Sequence, residues 1–441
     1  MRVEISTTAR LSGAPRQLVD ELRRQYTLPN PAFVEARRQG RWTGNLEPDL
    51  QFWRKDGSDL VCPRGAVRDI LLHAREHGPV EIVDNRLSLP EIDLAFRGNP
   101  RPYQLQAIDG IMAKHFGVLE AGTGSGKTIV ALAIIAARKQ PALVLVHTSE
   151  LLYQWQERAR QFLGIEAGLI GDGKFDIRPV TIAIVNSVRA NLDGLTTAFG
   201  HLIVDECHRT PSSMFSEVVR AFPAKFSLGL SATPYRRDGL DPLIGWFVGA
   251  HKVTVDTAVL REVGAVLRPK IISRETDFRY SYNDDYSRMI SALAEDRERN
   301  RLIADDINQQ AKQGGVTLVV SDRTEHLDTL AKLADDHGSA ILTGKIPRKQ
   351  RQKIVQALNT GKIRTLYSTL SLVGEGFDCP SMDALFITSP IKFSGRLKQV
   401  IGRILRPAAG KQAKVYDYVD NKVGVLKYQA RQRRKTYSEM R

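Results

Sequence analysis

Ala121-Gly122-Thr123-Gly124-Ser125-Gly126-Lys127-Thr128 places three glycines just ahead of a lysine and a hydroxyl residue. The strand-like Val118-Leu119 precedes this stretch and the helix-like run Ile129 to Ala137 follows it, so the glycines fall on a strand-to-helix turn. Such a turn points backbone N–H groups and the positive end of a helix at a polyphosphate. Lys127 is then expected to reach the terminal phosphates, and the Thr128 hydroxyl to hold Mg²⁺. The expected cofactors are therefore ATP and Mg²⁺, with Gly122, Thr123, Gly124, Ser125, Gly126, Lys127 and Thr128 forming the cradle. Ala121 stands where the strict Gly-x-x-x-x-Gly-Lys-[Ser/Thr] pattern has its first glycine.

Outward from this loop, apolar β-rich runs alternate with helical patterns twice over. The first series holds Ala142 to Val146, Thr181 to Val185, His201 to Asp205 and Phe226 to Leu230. The second holds Val316 to Val320, Ala340 to Leu342, Arg364 to Tyr367, Ala384 to Ile387 and Val415 to Tyr418. Continuous apolar strands between helices mean parallel sheets covered on both faces, hence an α/β class with two tandem lobes. Tyr286 to Gln310 carries apolar residues at helical spacing and is expected to form one helix of the second lobe.

Two further segments bear on chemistry. After the third strand of the first lobe, Asp205-Glu206-Cys207-His208 offers one carboxylate for Mg²⁺ and beside it one to polarise the attacking water. Far along the chain, Gln399-Val400-Ile401-Gly402-Arg403-Ile404-Leu405-Arg406 supplies arginines for the charge that spreads over a transferring phosphoryl group. Arginines brought from a second lobe act only when the lobes close, which would make hydrolysis depend on a motion.

A net charge of +15, from 64 Lys and Arg against 49 Asp and Glu, favours a polyanionic partner. Acids and bases nearly balance up to Pro100, whereas the end of the chain, including Arg431-Gln432-Arg433-Arg434-Lys435, has few acids. With Lys345, Arg348, Lys349, Arg351 and Lys353 it reads as a phosphate-tracking surface, and past Tyr428 a solvated tail is an equal alternative. The three cysteines, Cys62, Cys207 and Cys379, form no Cys-x-x-Cys pair, which speaks against a disulfide framework or a zinc cluster. No apolar run approaches the ~18 residues of a membrane span, and Met1 to Ser6 lacks the apolar stretch of a signal peptide. A cytosolic protein is expected, or a nuclear one in a eukaryote, with no membrane partner.

Residues up to Leu94 have their own pattern, with helices expected over Gln17 to Tyr26 and after Pro63, as in a small α+β domain. Trp42, Phe52 and Trp53 sit among Arg37, Arg38, Arg41, Arg54 and Lys55, the mix of aromatics and cations that nucleic-acid surfaces use. Core aromatics beside solvated arginines would read the same way. The expected division is 1–95, an N-terminal nucleic-acid-binding domain; 96–258, the ATP-binding lobe; 259–425, the second lobe; and 426–441, a basic tail. A chain starting near Ala95 would then keep a working motor.

Taken in order, these residues resemble the superfamily-two helicases and translocases from about Arg101 to Pro407. Arg101-Pro102-Tyr103-Gln104 is similar to the segment whose glutamine reads adenine, which makes Gln104 the candidate. Thr148 with Gln154-Trp155 resembles the first strand-gripping motif, although His147 replaces the common proline. Asp205-Glu206-Cys207-His208 matches the Asp-Glu-x-His box, and Ser231-Ala232-Thr233 the coupling motif, with His208, Ser231, Thr233 and Thr369 as coupling or nucleic-acid residues. Gly374-Glu375-Gly376-Phe377-Asp378 resembles the motif that contacts nucleotide and strand, giving Gly376 and Asp378 as nucleotide contacts. Gln399, Arg403 and Arg406 fit Gln-x-x-Gly-Arg-x-x-Arg, in which the glutamine senses nucleotide and the arginines act on its phosphates.

Pro234-Tyr235-Arg236-Arg237-Asp238, Asp296-Arg297-Glu298-Arg299-Asn300 and Pro63-Arg64-Gly65 point to the phage UvsW and XPB-type branch. Asp277 to Tyr286, between the lobes, is shorter than the thumb insertion of XPB proteins. The resemblance implies two RecA-like lobes and an ATP-dependent DNA helicase or double-strand translocase moving 3'-5'. Its substrate would be branched, forked or duplex DNA in repair, recombination or replication, with single-strand tracking also open. It implies a monomer on DNA that works with repair, nuclease or replication partners. An RNA helicase, the motor subunit of a nuclease or defence complex, and an ATP-switched nucleic-acid sensor share these motifs. No nuclease centre is visible in the sequence.

Overall fold

In the computed structural model, residues 1–209, 213–232, 239–334, 338–374, 381–391, 394–408 and 410–440 are described. They divide into one unit of residues 1–121 with 126–255 and another of 256–441 with 122–125.

Among the described residues the larger unit contains three sheets, the smallest being the pair Thr27–Pro29 and Asp49–Gln51. Its eight-stranded sheet runs, in spatial order, Lys174–Phe175, Gly168–Gly171, Val180–Ile184, Ala142–Val146, His201–Asp205, Phe226–Ser231, Phe116–Ala121 and Lys252–Val255. All pairings are parallel except that of the two-residue edge strand Lys174–Phe175. Ala142–Val146 is buried at every residue, as a central parallel strand covered on both faces must be. Parallel strands carry their loops at the same C-terminal edge. The end of Phe116–Ala121, the acidic pair at the end of His201–Asp205 and Ser231 therefore come to one rim of this unit.

The N-terminal region forms a five-stranded mixed sheet with the helices Arg16–Gln25 and Val67–Glu76 against it. The expected independent domain ending at residue 95 is revised, because this sheet shares a hydrophobic core with the parallel-sheet part. Leu18, Leu22, Tyr26 and Ile70 belong to the same buried cluster as Phe222, Trp246 and Phe247. Tyr26 meets Trp246 edge-on with ring centroids 5.0 Å apart. Arg64 is buried, and its Nη1 donates to the carbonyls of Phe222 (2.8 Å) and Ala224 (3.2 Å). A chain starting at Ala95 would uncover this apolar face.

In the smaller unit, the six-stranded sheet is parallel throughout, in the order Lys270–Glu275, Lys414–Val419, Met382–Ile387, Val316–Ser321, Thr365–Thr369, Ser339–Leu342. Asp277 to Tyr286 follows the first of these strands and so lies within this unit. The single helix expected over 286–310 is two, Tyr286–Glu295 and Arg297–Lys312. Asp296 breaks it with an extended ψ of 116°, and its side chain accepts the Arg299 N–H to cap the second helix.

The expected tail is also corrected. Residues 424–439 form a helix docked through Leu426, Gln429, Ala430, Arg433, Thr436 and Tyr437. Arg433 is 3% exposed, and its Nε donates to Asp417 at 2.8 Å. A buried ion pair of this kind holds the helix to its sheet, because removing either partner strands a charge.

Candidate active site

The phosphate loop closes with Gly126 at φ 79°, in the left-handed region, immediately before the helix Lys127–Arg138. A Cβ on Gly126 would also meet Gln104 Nε2, but it is the left-handed backbone that calls for glycine here. Gln104 itself is 4% exposed. Its Oε1 accepts the Arg101 N–H at 2.9 Å, closing the first turn of the helix Pro102–Met112. Gln104 therefore lies against Gly126. Lys127 Nζ donates to the Ala121 carbonyl at 2.8 Å, and Ser125 Oγ to that of Gly122 at 2.7 Å. Thr128 opens the same helix one residue after Lys127.

Asp205 ends its strand buried, 8% exposed. Trp155, on the helix Ser149–Leu163, donates its indole N–H to Asp205 Oδ2 at 2.8 Å, and the Glu206 N–H reaches Asp205 Oδ1 at 3.0 Å. A carboxylate offers about four lone-pair positions, so two remain after these bonds. Hard oxygen donors such as Asp205 and Thr128, completed by phosphate oxygens and water, suit Mg²⁺, and the residues present fit that ion.

Glu206 sits at φ 51°, a left-handed backbone rarely taken by a residue with a side chain. Such strain persists only where surrounding structure holds it, and here it turns the carboxylate towards His208. His208 Nδ1 lies 3.2 Å from Glu206 Oε2 and 3.2 Å from Ser231 Oγ. The two adjacent acids are driven apart electrically. Burial, and then the charge of Glu206, push the Asp205 carboxyl above its ordinary range despite the Trp155 N–H and Lys127. Burial also opposes the charge of Glu206, but the hydrogen bond from His208 and the nearby Lys127 outweigh it and hold this group well below the carboxylate range. Glu206 is thus held ionised beside Asp205, whose charged form is disfavoured.

The other predicted residues are placed as follows. Thr148 caps the Trp155 helix, its Oγ1 accepting the Leu151 N–H at 3.3 Å, and Gln154 precedes Trp155 on that helix. Gln399 and Arg403 lie on the helix Ser394–Ile404 of the smaller unit, Arg406 just beyond it, and Thr369 ends the strand Thr365–Thr369. Thr233, Gly376 and Asp378 lie outside the described residues.

The aromatic group near the N-terminus separates. Trp42 is 90% exposed, whereas Phe52 packs on Trp246 with centroids 5.4 Å apart, and the Trp53 N–H donates to Thr27 Oγ1 at 3.0 Å. Phe52 and Trp53 are therefore packing residues. Sequence reading overlooked the contact of Trp155 with Asp205. The pairing of the Gln154-Trp155 motif with an acid fifty residues on has no local signal.

Residues 97–236 match the family of the type III restriction enzyme, res subunit, and residues 298–408 the helicase conserved C-terminal domain. The DNA 3'-5' translocase XPB2 of Sulfurisphaera tokodaii is 25% identical over 395 residues, covering 81% of this chain and 89% of that protein. The putative DNA 3'-5' helicase Rad25 of Halobacterium salinarum is 30% identical over 333 residues, covering 70% of this chain and 52% of that protein. Among solved structures, S. cerevisiae Dbp5 bound to RNA and ADP BeF3 aligns with a TM-score of 0.58 at 16% identity, over 77% of this chain and 88% of that one, a likeness of fold.

Two parallel-sheet units, the larger carrying Gly126, Lys127 and a split acid pair, define an ATP-hydrolysing motor of the phosphate-loop class. Within that class the two matched domains and the XPB-type relatives make the chain similar to the superfamily-two helicases of the XPB-like branch, nucleic-acid-dependent ATPases.

Proposed function

We propose that this chain is an ATP-driven DNA helicase or double-strand translocase that moves 3'-5' on branched or damaged duplexes during repair, recombination or replication. The observation that carries the chemistry is the ionised, strained Glu206 held between Lys127 and the His208–Ser231 pair. DNA as the track, and the polarity, rest on what the XPB-type relatives are named for.

In this reading the loop 122–128 binds the ATP phosphates, with Lys127 on the terminal ones. Thr128 and Asp205 would hold Mg²⁺, which neutralises phosphate charge when bound. Glu206 accepts the proton of the attacking water, and Arg403 and Arg406 stabilise the transferring phosphoryl group, with Gln399 sensing the nucleotide. Gly376 and Asp378 complete the nucleotide contacts. His208, Ser231, Thr233 and Thr369 relay the state of the site to the nucleic-acid grip, in which Thr148 and Gln154 take part. Trp42, exposed among Arg37, Arg38 and Arg41, contacts the DNA from the N-terminal side.

ATPase stimulation by single-stranded, duplex and forked DNA and by matched RNA tests this reading. Forked or duplex DNA is expected to stimulate most, and equal or greater stimulation by RNA would overturn the choice of DNA. Lys127→Ala is expected to weaken ATP binding, whereas Glu206→Gln is expected to bind ATP and lose about 10²–10⁴ in turnover. Near-normal turnover in Glu206→Gln would remove the base assignment.

A further inference from the structure

The C-terminal helix Gly424–Glu439 has two unlike faces. At about 100° per residue, its buried positions 429, 430, 433, 436 and 437 share one side. On the other side, Lys427, Arg431, Arg434 and Lys435 fall within an arc of about 100°, with Tyr428 at its margin. All four cations are exposed.

Among the described residues, no carboxylate lies within ion-pair distance of any of the four. Some surface arginines have one, as in Arg10 with Asp59, Arg38 with Glu35 and Arg189 with Glu217. The sole acid of the helix, Glu439, is matched by Lys398 at 2.7 Å. The stripe is also held rigidly, since Arg433 on the reverse face is locked to Asp417 and to the Tyr418 carbonyl. Lys427 to Lys435 spans about 12 Å of helix, enough to face about three successive phosphates of one strand.

Single-strand sites interleave cations with several stacking aromatics. This face offers only Tyr428, 62% exposed and off the centre of the stripe.

We propose that Lys427, Arg431, Arg434 and Lys435 form a rigid rail for the phosphate backbone of duplex DNA, outside the helicase motifs. The proposal rests on the DNA-motor reading above and adds to it the duplex arm as a second point of hold. No base is read, so the contact is indifferent to sequence and releases counterions as it forms.

The test uses the full chain carrying Lys427→Gln, Arg431→Gln, Arg434→Gln and Lys435→Gln together. Its affinity for a blunt duplex is measured by fluorescence anisotropy between 50 and 200 mM salt. Each lost phosphate contact lowers the slope of log K against log salt by about 0.9, so a slope shallower by about 2–4 is expected. Nucleotide affinity, basal ATPase and melting temperature are expected to match the parent chain. An Arg431→Lys, Arg434→Lys variant, which keeps the charge, is expected to keep the slope. An unchanged slope in the four-fold variant would overturn the rail, and an equal loss on a single strand would overturn its assignment to duplex. Failure of DNA or RNA to stimulate the parent ATPase would instead overturn the motor reading, so the two failures are distinguishable.

Discussion

Replacing Gly65 with alanine should pry the N-terminal sheet from the sheet that carries the phosphate loop. Gly65 lies in the buried turn Arg64–Ala66, and a Cβ there would strike the Gly245 carbonyl oxygen and approach Trp246 O and C to 2.6 and 2.8 Å. These obstacles are backbone atoms of the helix Pro242–Phe247 and its end, so no side-chain rotation relieves them. On the near side, Arg64 is tied to the Phe222 and Ala224 carbonyls, which prevents the turn from backing away without breaking those bonds. Overpacking of this sort costs about 1–3 kcal/mol, and the upper end applies where neither wall can give. At roughly 2–4 °C per kcal/mol for a unit of this size, the melting transition should fall by about 6–12 °C. Differential scanning calorimetry on the full chain measures it, with Gly344→Ala, which meets nothing within 4 Å, as the control expected to stay within about 0.5 kcal/mol. A Gly65→Ala chain as stable as that control would refute the shared core, and the N-terminal region would again be an independent domain.

Three further outcomes are expected. Trp155→Phe keeps an aromatic ring but removes the pyrrole ring whose N–H donates to Asp205 Oδ2, and a hydrogen bond to a charged group is worth about 1.5–3 kcal/mol, so turnover should fall by about 10- to 100-fold with a higher Mg²⁺ requirement. Kinetics across a Mg²⁺ titration check this, and an unchanged Mg²⁺ requirement would make Trp155 a packing residue alone. Arg403→Ala and Arg406→Ala should lower kcat by about 10³–10⁵ with little change in ATP Kd, and a pure affinity loss would contradict their role on the phosphates. Burial pushes His201 and His326 down to about 3, so the folded chain binds fewer protons than the unfolded chain between that value and 6.5. Their stabilising share is therefore complete above pH 6.5 and lost as pH falls through that window, each costing about 2 kcal/mol by pH 5. Urea denaturation at pH 7.5 and 5.0 measures it, and His201→Phe should flatten part of the acid limb.

Much of this protein is written locally. The strands Ala142–Val146 and His201–Asp205 were legible to the residue, because an unbroken apolar run between helical patterns leaves a buried parallel strand as its reading. The phosphate loop was legible for a similar reason, since its glycines answer to backbone conformation within eight residues. The second lobe was readable strand by strand, apart from its first edge strand, Lys270–Glu275, which is half exposed and lacks the apolar signal.

What only the tertiary structure decided are contacts between residues distant in sequence, whose energies composition and periodicity do not record. Phe52 and Trp53 look like Trp42 in the chain, yet Trp246 and Thr27 draw the first two into packing and leave Trp42 in solvent. The basic end reads as a tail until Asp417 supplies the partner that makes burial of Arg433 affordable and turns one face of the helix inward. The Trp155 N–H reaches Asp205 only because the helix after one parallel strand packs back across the sheet towards the end of the next. Local sequence could name the groups of the site, whereas their charge states, through burial and neighbours brought from elsewhere in the chain, belong to the folded molecule.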